Sequence, residues 1–168
     1  PRRFSSVCHD GAAAGTGSGG QLCTKPGVVF VPETEDGEAL GALAASLIAG
    51  TAPIPMLTEG MAAAHRRWNE KNRGASGQEA DSRAGRPFAV RIPAKDFTGD
   101  YREEHFGPAT VIVQADPADY PALAGSLEGQ LTATIIADDA SAADRSAARR
   151  PWTVSLRSRG GVEVAPIA

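Results

Sequence analysis

Residues 109–137, ATVIVQADPADYPALAGSLEGQLTATIIA, decide the fold class. Ala109 to Val113 is a β-branched, apolar run, the pattern of a buried strand. Asp116-Pro117 then offers a helix cap followed by proline at the first helical position. Tyr120, Leu123 and Leu127 follow at helical spacing, Gly129 stops the helix, and Leu131 to Ala137 is apolar and β-branched again. Strand, helix, strand predicts a βαβ unit with its two strands parallel. The expected class is α/β, a sheet flanked by helices.

Upstream, Val28 to Val31 reads as a short buried strand halted by Pro32. Leu40, Leu43, Leu47 and Ile48 form one stripe of a 3.6-residue period. Thr34 or Asp36 caps that helix and Gly50 ends it. Thr51 to Pro55 is a proline-rich turn. Thr58 caps a second helix reaching about Lys71, with Met61 and Trp68 on its core face. Residues 74–85 read as a surface loop, and Phe88 to Ile92 as a half-buried strand. Residues 141–149 suit a short helix and Trp152 to Leu156 a last strand. Residues 1–20, rich in Gly, Ala, Ser and Thr, predict a flexible segment.

The 168 residues suit one domain, and 42% hydrophobic with 22% charged residues is an ordinary globular balance. Such a chain buries roughly 70% of its unfolded surface. Nineteen glycines and twelve prolines imply many loops. The net charge of −3 leaves no basic surplus for phosphates, which argues against nucleic acid as a partner. Residues 39–56 are too interrupted by Gly and Pro to span a membrane. No signal peptide is recognisable, so the expected location is the cytoplasm.

The two cysteines are Cys8 and Cys23. They would pair in an oxidising compartment and stay reduced inside a cell. Cys8, His9 and Cys23 offer three metal ligands without the spacing of a zinc site, and no metal is expected. Cys23 lies in Gly20-Gln21-Leu22-Cys23-Thr24-Lys25-Pro26-Gly27, just before a buried strand. A cysteine on a glycine-flanked turn is exposed, as a thiol nucleophile must be. Lys25, two residues away, is positioned to favour the thiolate, the reactive form. A second cluster is Glu103-Glu104-His105-Phe106-Gly107-Pro108. There a ring stands at a tight bend, and Glu104 can accept hydrogen bonds from vicinal hydroxyls such as a ribose carries. Taken singly, each cluster also fits an inert cysteine and a capped loop.

In order, these motifs resemble the catalytic domain of the aldehyde dehydrogenase superfamily. The branch most similar contains the 2,5-dioxovalerate (α-ketoglutarate semialdehyde) dehydrogenases. Residues 24–31, 55–58 and 127–134 share that likeness, which covers about Gly20 to Asp138. The resemblance implies an NAD- or NADP-dependent oxidation of an aldehyde substrate to an acid. Cys23 matches the nucleophile that forms a thiohemiacetal and then a thioester, its backbone N–H helping to hold the oxyanion. Glu104 matches the carboxylate on the nicotinamide ribose, and Phe106 the ring beside the nicotinamide.

The same likeness implies a longer natural protein. The cofactor-binding domain is absent from this chain, and no GxGxxG stands between a strand and a helix. No glutamate precedes Cys23 to serve as the general base. Residues 1–19 do not resemble the family and form a flexible or foreign segment. Residues 20–168 are a partial catalytic domain whose match fades after 138, with Gly161 to Val164 similar to a later family segment. A lone lobe with an exposed apolar face predicts a homo-oligomer. Two other readings stand beside this one: a non-catalytic α/β remnant or interaction module, and a thiol-redox or metal-binding protein.

Overall fold

The computed structural model describes residues 2–73, 83–128, 131–136, 153–158 and 161–165. The elements, in chain order, are α1 (Arg2–Thr16), β1 (Val28–Pro32), α2 (Glu35–Ala49), β2 (Ile54–Pro55), α3 (Glu59–Arg73), β3 (Ala84–Gly85), β4 (Phe88–Pro93), β5 (Ala109–Ala115), α4 (Tyr120–Gly125), β6 (Thr132–Ile136), β7 (Thr153–Ser158) and β8 (Gly161–Ala165). Residues up to Tyr120 form one compact unit and residues from Pro121 a second.

In the first unit β1, β5 and β4 make a three-stranded sheet in that order, with β5 central. Both ladders are parallel: Val28 faces Val111, which in turn faces Val90. Side chains alternate across the pleat, so Val28, Phe30, Phe88, Val90, Val111 and Val113 share one face. Val31 and Ile112 lie on the other. Helix α2 packs over the Val31–Ile112 face, approaching it at Gly41. On the opposite face Trp68 of α3 meets the Phe88 ring at 5.2 Å, and Phe97 meets Phe30 at 5.7 Å. Phe88, Phe97 and Val113 have no exposed surface, and Val31 and Ile112 on the other face are 2% exposed, so β5 is buried on both faces.

Helix starts follow the polar caps. Thr34 Oγ1 accepts from Gly37 N at 3.1 Å and Thr58 Oγ1 from Met61 N at 3.1 Å. Thr34, rather than Asp36, therefore caps α2. Asp116 accepts from Ala118 N at 2.8 Å, but the turn it starts is 3-10 before it becomes the short α4.

Three expectations need correction. The α/β class stands, yet residues 109–137 do not form a paired βαβ unit. Strand β5 has β1 on one edge and β4 on the other, so both its ladders are filled. Strand β6 instead pairs with β7 in parallel, and β7 pairs with β8 antiparallel. The parallel crossovers of the first sheet run from β1 through α2 and α3 to β4, and from β4 to β5. Second, residues 2–16, expected to be flexible, form α1. Ala12–Ala14 are strong helix formers, and burial of Ala12 and Thr16 supplies the tertiary packing that a short helix needs. Third, Ile54–Pro55 and Ala84–Gly85, read as turn and loop, pair as the antiparallel β2 and β3. Residues 141–149 and Trp152 fall outside the described residues. No helix among the described residues is long and apolar enough to cross a membrane.

Candidate active site

Strands β1 and β5 are parallel neighbours, so the segments that precede them arrive at the same edge of the sheet. One segment is the Cys23 turn and the other is Glu104 to Pro108. The site therefore sits at the amino ends of the strands, not at the carboxyl ends where open α/β sheets usually bind ligands.

A 3-10 turn, Gly17–Gly20, leads from α1 into the first segment with Ser18, Gly19 and Gly20 all at positive φ. Gln21 secures it from below: its Nε2 donates to Ser18 O at 3.0 Å, and its Oε1 accepts from Leu57 N at 2.8 Å. Lys25 N donates to Leu22 O at 3.0 Å, which closes a tight turn with Cys23 and Thr24 at its tip. Cys23 is a free, exposed thiol.

The two segments are joined directly. Gly107 N donates to Gly20 O at 3.1 Å. Lys25 Nζ donates to the carbonyls of His105, Gly107 and Ala109 at 2.6, 3.2 and 3.0 Å. Further along, Val111 N donates to Gly27 O at 2.9 Å and Thr110 Oγ1 to Pro26 O at 3.2 Å. Burial pushes the Lys25 ammonium down to about 8, while Glu104 nearby pulls it up. The sequence reading cast Lys25 as a partner for the Cys23 thiolate. Its three donors go to carbonyls instead.

Glu104 is exposed, and so is Phe106 at 43%. His105 between them turns inward and stacks on Trp68, with centroids 3.8 Å apart and planes 27° apart. Its Nε2 lies 2.8 Å from Asp100 O. Gly107, at φ +119°, rests on His65: a Cβ there would stand 2.6 Å from His65 Nδ1. His65 is buried, with Nε2 2.9 Å from Arg86 O, an acceptor. Nε2 must therefore carry the proton, and Nδ1 is a lone pair with no hydrogen-bond partner. Burial lowers the pKa of both histidines.

The structure thus brings together the segments that carry Cys23, Glu104 and Phe106, with all three side chains facing solvent. Sequence reasoning missed Lys25 as a clamp, Gln21 as a brace and His65 as the floor under Gly107. A signal existed for the first: Lys25 is the only Lys or Arg between Arg3 and Arg66. Among the described residues no group of three His, Cys, Asp or Glu side chains is arranged to hold a metal. The Cys8 side chain lies outside the described set.

No family model matches the chain. It is 33% identical over 153 residues to alpha-ketoglutaric semialdehyde dehydrogenase 2 of Azospirillum brasilense, across 84% of this chain and 28% of that protein. Among solved structures, a putative aldehyde dehydrogenase from Burkholderia cenocepacia superposes with a TM-score of 0.77 at 19% identity, over 97% of this chain and 37% of that one. Aldehyde dehydrogenase C of Pseudomonas syringae, solved with NAD+ and octanal, gives a TM-score of 0.71 at 24% identity, over 92% and 36%. Other neighbours hold NAD+ or NADP. The chain spans little more than a quarter of the curated relative it matches and about a third of these solved chains. Its described architecture is part of the aldehyde dehydrogenase fold.

Proposed function

We propose that this chain supplies the thiol-bearing lobe of an NAD- or NADP-dependent aldehyde dehydrogenase, with Cys23 as nucleophile. The observation that carries this reading is the placement of an exposed thiol on a tight turn hydrogen-bonded to the loop bearing exposed Glu104 and Phe106. The substrate proposed is an aldehyde, and by likeness to the curated relative a semialdehyde.

The residues present fit the nicotinamide end of such a cofactor. The Glu104 carboxylate offers acceptors for the two ribose hydroxyls, and the Phe106 ring offers an apolar edge beside them. When bound, the cofactor supplies the hydride acceptor. The chain's own part is the rest. The Cys23 thiolate adds to the carbonyl carbon, forming a C–S bond and an alkoxide. The Cys23 backbone N–H donates to that alkoxide, where charge develops. After oxidation the acyl group remains on Cys23 Sγ as a thioester, and water releases the acid and restores the thiol. Glu104 and Phe106 would hold the cofactor.

As one lobe of a longer enzyme, the chain is tested through its thiols: Cys23, left alone in Cys8→Ser, is expected to be alkylated faster across pH than Cys8, left alone in Cys23→Ser. Equal rates would refute an activated Cys23. Reduced cofactor formed from NAD+ or NADP and a panel of aldehydes including a carboxylated semialdehyde, and lost in Cys23→Ala, would add that this lobe suffices for catalysis.

A further inference from the structure

We propose that Lys25 is the positioning residue that sets the cofactor-facing segment Glu104–Phe106 against the Cys23 thiol, an assignment that rests on the function proposed above. An ammonium has three donors and no acceptor. Lys25 meets three carbonyls, those of His105, Gly107 and Ala109, so each donor has a partner. These are alternate peptides of one loop. They bracket Phe106 and begin immediately after Glu104. The stem that carries this ammonium leaves the same hydrogen-bonded turn that holds Cys23 at its tip. Movement of the loop therefore pulls on the turn, and the Gly107–Gly20 hydrogen bond closes the frame on its other side.

A buried lysine costs free energy, and a chain that only needed a tight loop has cheaper means. What the ammonium does here is bind three peptides to one point, two residues from the nucleophile. Burial pushes it down to about 8, so the frame is complete below that pH and loses its charge and one donor above it.

Trp68 is a local reporter, because it stacks on His105, whose carbonyl Lys25 holds. The second tryptophan, Trp152, is removed by Trp152→Phe so that emission comes from Trp68 alone. In that background emission is expected to change through a midpoint of about 8, with the far-ultraviolet spectrum constant. Lys25→Met keeps the stem and removes the donors. It is expected to abolish that step and to speed exchange of the Gly107 amide by about tenfold or more at neutral pH. Cys23→Ala is expected to leave both readouts unchanged.

Emission that stays flat through about pH 8, or Gly107 protection unaltered in Lys25→Met, would overturn the proposal. If Lys25→Met does not fold, the titration of the Trp152→Phe protein decides alone. A lysine serving only global stability would, on replacement, speed exchange throughout the fold and not at Gly107 in particular. The two readings fail separately. Thiols of equal reactivity with the step in place remove the nucleophile and keep the clamp, and a fast-reacting Cys23 without the step does the reverse.

Discussion

Gly20 and Gly107 meet backbone to backbone: Gly107 N donates to Gly20 O at 3.1 Å, and a Cβ on Gly20 would stand 2.2 Å from the Gly107 carbonyl oxygen. Gly20 also sits at φ +62°, where a side chain is strained whatever the space. Gly20→Ala is therefore expected to destabilise the protein by about 2 kcal/mol or more in urea unfolding. Gly17→Ala is the matched control. A Cβ there meets nothing within 4 Å, so its effect should stay within about 0.5 kcal/mol. Equal, small effects at both positions would mean that the turn does not pack on the loop as described.

Cys23 stands at the tip of its turn with its thiol in solvent. Replacing an exposed side chain by alanine changes stability by no more than about 0.5 kcal/mol. Cys23→Ala should thus keep the unfolding midpoint and remove the faster-alkylating thiol. A midpoint that falls would point to a structural cysteine.

His65 and His105 contribute to the acid side of the stability curve. Burial holds His65 and His105 below the ordinary 6.5, so folding favours the neutral rings. Between the folded and unfolded values the unfolded chain binds more protons, and stability rises with pH there. Their contribution is complete above 6.5 and lost as the pH falls through the folded values. The urea midpoint should drop from about pH 7.5 to about pH 5.5, and His65→Gln should flatten that drop. His105→Gln should flatten it less, since His105 is only half-buried. An unchanged slope in His65→Gln would place the acid sensitivity elsewhere.

Residues with a local signature were legible in the sequence. The strands at Val28, Phe88 and Ala109 announce themselves by β-branched runs, and α2 and α3 by Thr34 and Thr58, because caps and periodicity act within a few residues. What lay beyond reach was non-local. Nothing in residues 109–137 says that β4 arrives from upstream to occupy the second edge of β5. Helix α1 depends on burial of Ala12 and Thr16, which no composition reveals. The Cys23 turn and the Glu104–Phe106 loop were readable from motif order, and the parallel ladder brings them to one end of the sheet. The Lys25 contacts cross about eighty positions of sequence, and only folding makes them visible.

Glu104 serves two proposed purposes, and they can be separated. As an exposed carboxylate it should bind ribose hydroxyls, and Glu104→Gln should weaken the nicotinamide cofactor by about tenfold while leaving the unfolding midpoint alone. As a charge beside Lys25 it raises the ammonium's pKa against the downward push of burial. Removing that charge leaves burial unopposed, so the Trp68 emission step should move to lower pH in Glu104→Gln. Cofactor binding is read by equilibrium titration with NAD+ or NADP, and the step by emission without cofactor. A midpoint that shifts down with affinity unchanged would keep the electrostatic link to Lys25 and remove Glu104 from the cofactor site. A midpoint that stays put would mean that Glu104 lies too far from the ammonium to act on it.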